Sequence, residues 1–465
     1  MATTMTTRLL MIALDGADGA LLDRWSADGT LPNLAALRAR GGATRLSAPK
    51  GITDDGLWAS FQYSAGLGEH GRYYFRQHLD SGAMGMAHLG EADRESFWDS
   101  LSSQGLRVGI FDVPKCGLPR PINGIHLVDW LVHGRYFREP KSYPESLARE
   151  IVERFGPAPP SRCESQGPPL SDEEVREVIA NLRTSIARKR AAGLHYLKSG
   201  TWDLFVIGFK EAHCAGHHFW ALADPRHADH DSARAAFLGE PYRTILMDLD
   251  SAVGDLAAAV GPDAVIAVFS TSDMVPNGTL AHFMKEIVKH MNMCLGDTLP
   301  AHAFRHLMWR CNLTSPIKPP CDILPYNENC TALRVCPQWG WFRHTPGHER
   351  RKALMLERIE SMLRELVDAD TGQPLITAID RPSAKYMGKR AAALPDLLVR
   401  YTSGTFPRAV VSPRLGRFEA KRPRVRPGNH AAGGFLIIAG DACDGVNGMQ
   451  DLGPMAAKVL HVTIK

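Results

Sequence analysis

The stretch Glu211-Ala-His213-Cys-Ala-Gly-His217-His218-Phe-Trp220 holds the residue types and spacing best suited to chemistry in this sequence. His213 and His217 stand four residues apart, so on one turn of helix both imidazoles project toward a common point. Two imidazoles placed in this way suit a divalent cation, zinc above others, provided a third ligand arrives from elsewhere in the chain. The alternative is one histidine ligand, with the rest as polar residues near a helix start. His430 precedes a long apolar run and is a candidate third ligand. Thr53 and Asp54 precede another apolar segment, where backbone N–H groups at a helix start can hold an anion and the hydroxyl can act as a nucleophile. Helix N-capping accounts for Thr53 or Asp54 equally well without chemistry. Asp15 lies in the turn Asp15-Gly16-Ala17-Asp18-Gly19, either as a site residue or as part of an Asx turn.

The elements that must position these residues are legible as alternating apolar runs and amphipathic stretches. Residues 9–14, 108–113, 202–209, 264–269 and 433–440 read as buried strands. Helices are expected over 21–40, interrupted at Pro32, then from the capping box Ser171-Asp-Glu-Glu174 to about Leu197, over 242–260, and over 348–367. The alternation predicts an α/β fold with a mainly parallel central sheet covered by helices on both faces. Ligands in such sheets sit beyond the carboxyl ends of the strands, where Asp15 and the histidine stretch fall. Residues 297–346, rich in Pro, Cys, Asn and Trp without periodicity, read as an irregular insertion over the site in an otherwise single domain spanning 1–465.

Composition narrows the partners. A net charge of +4 over 465 residues is too small to indicate nucleic acid or a membrane surface, and the basic cluster from Arg414 to Arg426 reads as a solvated loop. The first apolar run is too short for a signal peptide, and none approaches the roughly 20 residues that span a bilayer, so a cytoplasmic protein is expected. Nine cysteines, an odd number, suit reduced thiols. Cys311, Cys321, Cys330 and Cys336 cluster without a CxxC pair and read as loop thiols.

The order of several landmarks resembles the alkaline phosphatase superfamily, in particular its type I phosphodiesterase and nucleotide pyrophosphatase branch. They are Leu14-Asp15-Gly16, Leu31-Pro32-Asn33-Leu34, Thr53 with Trp58 and His70-Gly71, Glu211-x-His213-x3-His217-x2-Trp220, Leu324-Pro-Tyr-Asn327-Glu-Asn329, Pro395-Asp396-Leu-Leu-Val399, and Gly428-Asn-His430-x3-Gly434. The resemblance implies an alkaline-phosphatase-like fold and two metal ions about 4 Å apart that clamp an in-line displacement at phosphorus. It assigns one ion to His213, His217 and His430, with a histidine where the family carries aspartate; the neutral trio still suits zinc. It assigns the other to Asp15, the nucleophile, and an Asp-His pair. Here that pair is Thr271-Ser272, within Ser270-Thr271-Ser272-Asp273-Met274. Neutral hydroxyls are poor substitutes for carboxylate and imidazole, so one tightly bound zinc is expected and the second site is doubtful unless Asp273 swings in. Glu211 is a possible support. Thr53 lies five residues before Trp58, where the family spacing is four, so Asp54 falls at the nucleophile position if nothing has been inserted. The expected activity is metal-dependent hydrolysis of a small phosphate ester, with Thr53 attacking phosphorus. The alternatives are a non-catalytic binding or scaffold descendant, or a single-metal enzyme turned to other chemistry. A sulfatase is disfavoured because Gly51-Ile-Thr-Asp-Asp lacks the modifiable Cys or Ser.

Overall fold

Strand β1 (Thr7–Leu14) is apolar at every position from Leu9 onward, the pattern of a strand buried on both faces. Leu10, Ile12 and Leu14 face one hydrophobic core, while Leu9, Met11 and Ala13 face a second on the other side of the sheet. The computed structural model describes residues 7–52, 54–79, 84–86, 94–131, 137, 139–163, 170–297, 299–311, 319–327, 329–336, 347–421, 425–441 and 444–464. The chain divides into two compact units, the first formed by residues 1–75, 86–276 and 424–465 and the second by 76–85 and 277–423.

The first unit is built on an eight-stranded sheet. After β1, its strands in chain order are β2 (Gly41–Leu46), β3 (Val108–Phe111), β4 (Gly124–Val128), β5 (Lys141–Tyr143), β6 (Trp202–Phe209), β7 (Val265–Phe269) and, following a two-stranded ribbon, β10 (Gly434–Ala439). They lie in the order β2-β10-β7-β1-β6-β3-β4-β5, with β7, β1, β6, β3 and β4 parallel and the others antiparallel. Helices α1 (Gly19–Ala27), α2 (Pro32–Ala39), α4 (Asp172–Lys198), α5 (Glu211–Ala223) and α6 (Pro241–Val260) supply residues to the first core. Helix α3 (Asp54–Tyr63), with Leu57, Trp58 and Phe61, packs into the second. The expected mainly parallel sheet with helices on both faces is the observed architecture. Ser171 caps α4 through the anticipated capping box with Glu174.

Register decides what meets at the sheet edge. Because β1 sits between β7 and β6, with Ala13 paired to Phe269 on one side and Gly208 on the other, the carboxyl ends of all three strands lie level. Asp15, Thr271 and the start of α5 therefore emerge side by side. The ribbon, β8 (Ser272–Pro276) with β9 (Gly428–Ala432), follows β7 and precedes β10, and pairs Met274 with His430.

In the second unit, strands Cys321–Leu324, Cys330–Val335, Leu397–Tyr401 and Ile376–Asp380 form an antiparallel sheet in that order. Helices Ala281–Cys294 and His348–Arg364 supply residues to its core. The stretch read as irregular, 297–346, thus includes the first two of these strands and the helix Leu299–Arg310. Proline and cysteine content hid them, because a short strand paired with sequence-distant partners needs no long local period.

Candidate metal centre

Helix α5 places His213 and His217 on one face, as the four-residue spacing requires, and both side chains are buried. Their Nε2 atoms lie 3.1 Å apart. His430, on β9, brings its ring to within 4.4 Å of His213 and 4.8 Å of His217, centroid to centroid. Two glycines permit these close approaches. Gly16, with φ of 66°, would set a Cβ 2.8 Å from the His213 Cα, and a Cβ on Gly428 would lie 2.2 Å from the Gly216 carbonyl oxygen.

Each imidazole has a neighbour at Nδ1. Asp15 Oδ2 is 3.0 Å from that of His213, the Gly428 carbonyl accepts from that of His217 at 2.8 Å, and Ser272 Oγ is 3.0 Å from that of His430. Such outer partners set tautomer and ring orientation in metal-ligating histidines. Burial, followed by the positive charges of neighbouring groups, holds His213 and His217 well below the ordinary histidine range, so both are neutral. A neutral His217 that donates through Nδ1 has a bare lone pair at Nε2. The 3.1 Å Nε2···Nε2 contact is a hydrogen bond when His213 donates; with that proton lost, two lone pairs face each other and a cation between them would bridge them. Two nitrogens on a tetrahedral zinc are about 3.3–3.4 Å apart, so the residues present fit the ion.

The environment of Asp15 is different. Its Oδ1 accepts from Thr271 Oγ1 at 2.9 Å and from Trp58 Nε1 at 3.2 Å, and Asp15 is wholly buried. Thr271 and Ser272, at the positions where the resemblance calls for aspartate and histidine, are hydrogen-bonding partners of Asp15 and His430 respectively. Asp273 faces the other way. On β8 it alternates with Ser272 and Met274, and its carboxylate meets Arg45 and accepts from the Gly19 N–H at 2.9 Å. Glu211 accepts from Ser185 Oγ at 2.5 Å and, with Cys163, Lys210 and Cys214, lines a cavity of about 270 Å³. Thr53 and the Asp54 side chain lie outside the described residues; the Asp54 backbone opens α3, one turn before Trp58.

Four further side chains belong to this neighbourhood. Lys115 pairs with Asp55 at 3.3 Å, and Lys115, Lys210 and Arg426 all act on His213 electrostatically. Cys163 is the other, its sulfur within 4.8 Å of ligand nitrogens of both His213 and His217. No spacing pattern connects either Lys115 or Cys163 to the histidine helix.

Comparison with known proteins gives the family and the fold. A family described as type I phosphodiesterase / nucleotide pyrophosphatase matches residues 9–293. No curated protein matches in sequence. Among solved structures, phosphonoacetate hydrolase from Sinorhizobium meliloti 1021, in complex with phosphonoformate, is similar at 10% identity and a TM-score of 0.54. The alignment covers 98% of this chain and 96% of that one. An inactive murine ectonucleotide pyrophosphatase / phosphodiesterase 5 in complex with AMP is similar at 10% identity and a TM-score of 0.50, again over 98% and 96% of the two chains.

Proposed function

Because the chain belongs to the type I phosphodiesterase / nucleotide pyrophosphatase family, we propose that it is a metal-dependent hydrolase of a small phosphate ester with one strong metal site. His213, His217 and His430 would hold the ion, zinc by the chemistry of the donors. When bound, the ion supplies Lewis-acid polarisation of a phosphoryl oxygen. The observation that carries the reading is the approach of three imidazole rings, two of them kept neutral by burial, with Asp15 3.0 Å from Nδ1 of His213 and with Gly428 and Ser272 hydrogen-bonded at Nδ1 of His217 and His430.

The chain's own groups have defined tasks in this reading. Asp15 orients His213 and, through Thr271 and Trp58, is itself fixed at the sheet edge. Lys115, Lys210 and Arg426 are cations close enough to act on His213 and would attract an anionic phosphoryl group. The start of α3 offers backbone N–H groups for its oxygens, and Thr53 or Asp54 would be the nucleophile. With hydroxyls at Thr271 and Ser272, the second cation site lacks the charge of a carboxylate and the basicity of an imidazole. Turnover of general phosphatase substrates is therefore expected to be weak.

The test is metal content of the full chain purified without chelator, measured beside His217→Ala. The wild type should carry about one zinc and the variant much less, with unchanged circular dichroism. An unaltered metal content in His217→Ala would remove the proposed centre.

A further inference from the structure

This inference deepens the metal centre just proposed and rests on His213 and His217 as ligands. Cys163 is 2% exposed, about 50 residues away in sequence, and held against the histidine helix by contacts unrelated to any periodicity. Its sulfur and ligand nitrogens of His213 and His217 all lie within 4.8 Å of one another. Ligand atoms around a tetrahedral zinc with one sulfur are about 3.3–3.7 Å apart, so about 1 Å of movement brings this trio to coordination distance. We propose that Cys163 is a thiolate ligand of the ion held by His213 and His217.

One observation besides proximity supports the assignment. The Cys163 backbone is fixed on both sides, its carbonyl accepting from Arg426 Nη1 at 2.6 Å and its N–H donating to Ser161 Oγ at 3.3 Å, so the sulfur is held where it stands against the histidine helix. On binding, a sulfur–metal bond replaces the S–H bond and the thiol proton passes to solvent.

The functional consequence is a change in the ion's charge and softness. A thiolate donor lowers the Lewis acidity of the ion toward a phosphoryl oxygen, which gives a second reason for weak turnover.

The experiment uses the full chain, reduced, stripped of metal and reloaded with Co²⁺. Wild type should show a near-ultraviolet thiolate-to-cobalt charge-transfer band, and the zinc form should show one sulfur at about 2.3 Å in its X-ray absorption spectrum. Cys163→Ser should still bind cobalt but lose the band, while Cys214→Ser should retain it. Cobalt bound by wild type without the band, or a band lost only in Cys214→Ser, overturns the ligand assignment and leaves the histidine centre standing. Failure of wild type to bind any metal overturns the histidine centre and this inference with it. Should Cys163→Ser not fold, the wild-type sulfur shell alone decides.

Discussion

Replacing Thr271 by Asp together with Ser272 by His should restore a second cation site, and its cost without metal can be worked from the structure. Thr271 Oγ1 is 2.9 Å from Asp15 Oδ1 in a site where both residues are essentially inaccessible. A carboxylate at position 271 therefore stands within roughly 4 Å of the Asp15 carboxylate, where two like charges repel by about 4 kcal/mol at an effective dielectric constant near 20. Uptake of a proton by one of them relieves part of this, leaving about 2–4 kcal/mol of destabilisation in the metal-free protein. For a unit of this size that is a fall of roughly 3–6 °C in Tm. A divalent ion between the two carboxylates reverses the sign of the interaction. The assay is a thermal melt of wild type and double variant, each with chelator and with excess zinc, alongside metal content and turnover of p-nitrophenyl phosphate and bis-p-nitrophenyl phosphate. The variant should melt lower than wild type in chelator, regain its Tm in zinc, carry about two ions per chain and hydrolyse faster. A variant whose melting ignores zinc and whose metal content stays near one would refute the account of Thr271 and Ser272 as the missing ligands. Two ions in the wild type would refute it equally.

Other outcomes follow from the same contacts. Asp15→Asn should weaken zinc affinity by about 10–100-fold, because the carboxylate beside His213 Nδ1 is lost, and should abolish hydrolysis with little change or a rise in Tm; competition with a chromogenic chelator measures the affinity. Acid stability should reflect His126, a buried histidine on β4 whose ring nitrogens have no hydrogen-bond partner among the described residues and whose pKa burial lowers to about 3. The unfolded chain takes up a proton near pH 6.5 that the fold refuses until about pH 3. This contribution is thus present above pH 6.5 and lost as pH falls, by about 3 kcal/mol at pH 4.5. Urea denaturation at pH 7 and pH 4.5 should show a smaller loss, by about that amount, in His126→Leu; an equal loss in both proteins would contradict the assignment.

Much of the architecture was legible because its causes are local. Apolar runs such as Leu9 to Leu14 and Trp202 to Phe209 can only be strands buried on both faces, and the capping box at Ser171 marks a helix start within four residues. The histidine pair was equally plain, since helical period alone puts His213 and His217 together. His430 was a candidate for the same reason that Asp15 was: both adjoin strands whose ends reach the sheet edge. The placing of Asp273 was open in the sequence and decided by pleat. In the ribbon β8–β9, alternation turns it toward Arg45 and leaves Ser272 beside His430. Cys163 and Lys115 carry no pattern at all. Their place near His213 depends on the path of connections that no periodicity constrains, and only the folded chain brings a thiol and an ammonium group to a helix distant in sequence. Local period determines which element a residue joins; register and chain path determine which side chains from different elements share one point in space.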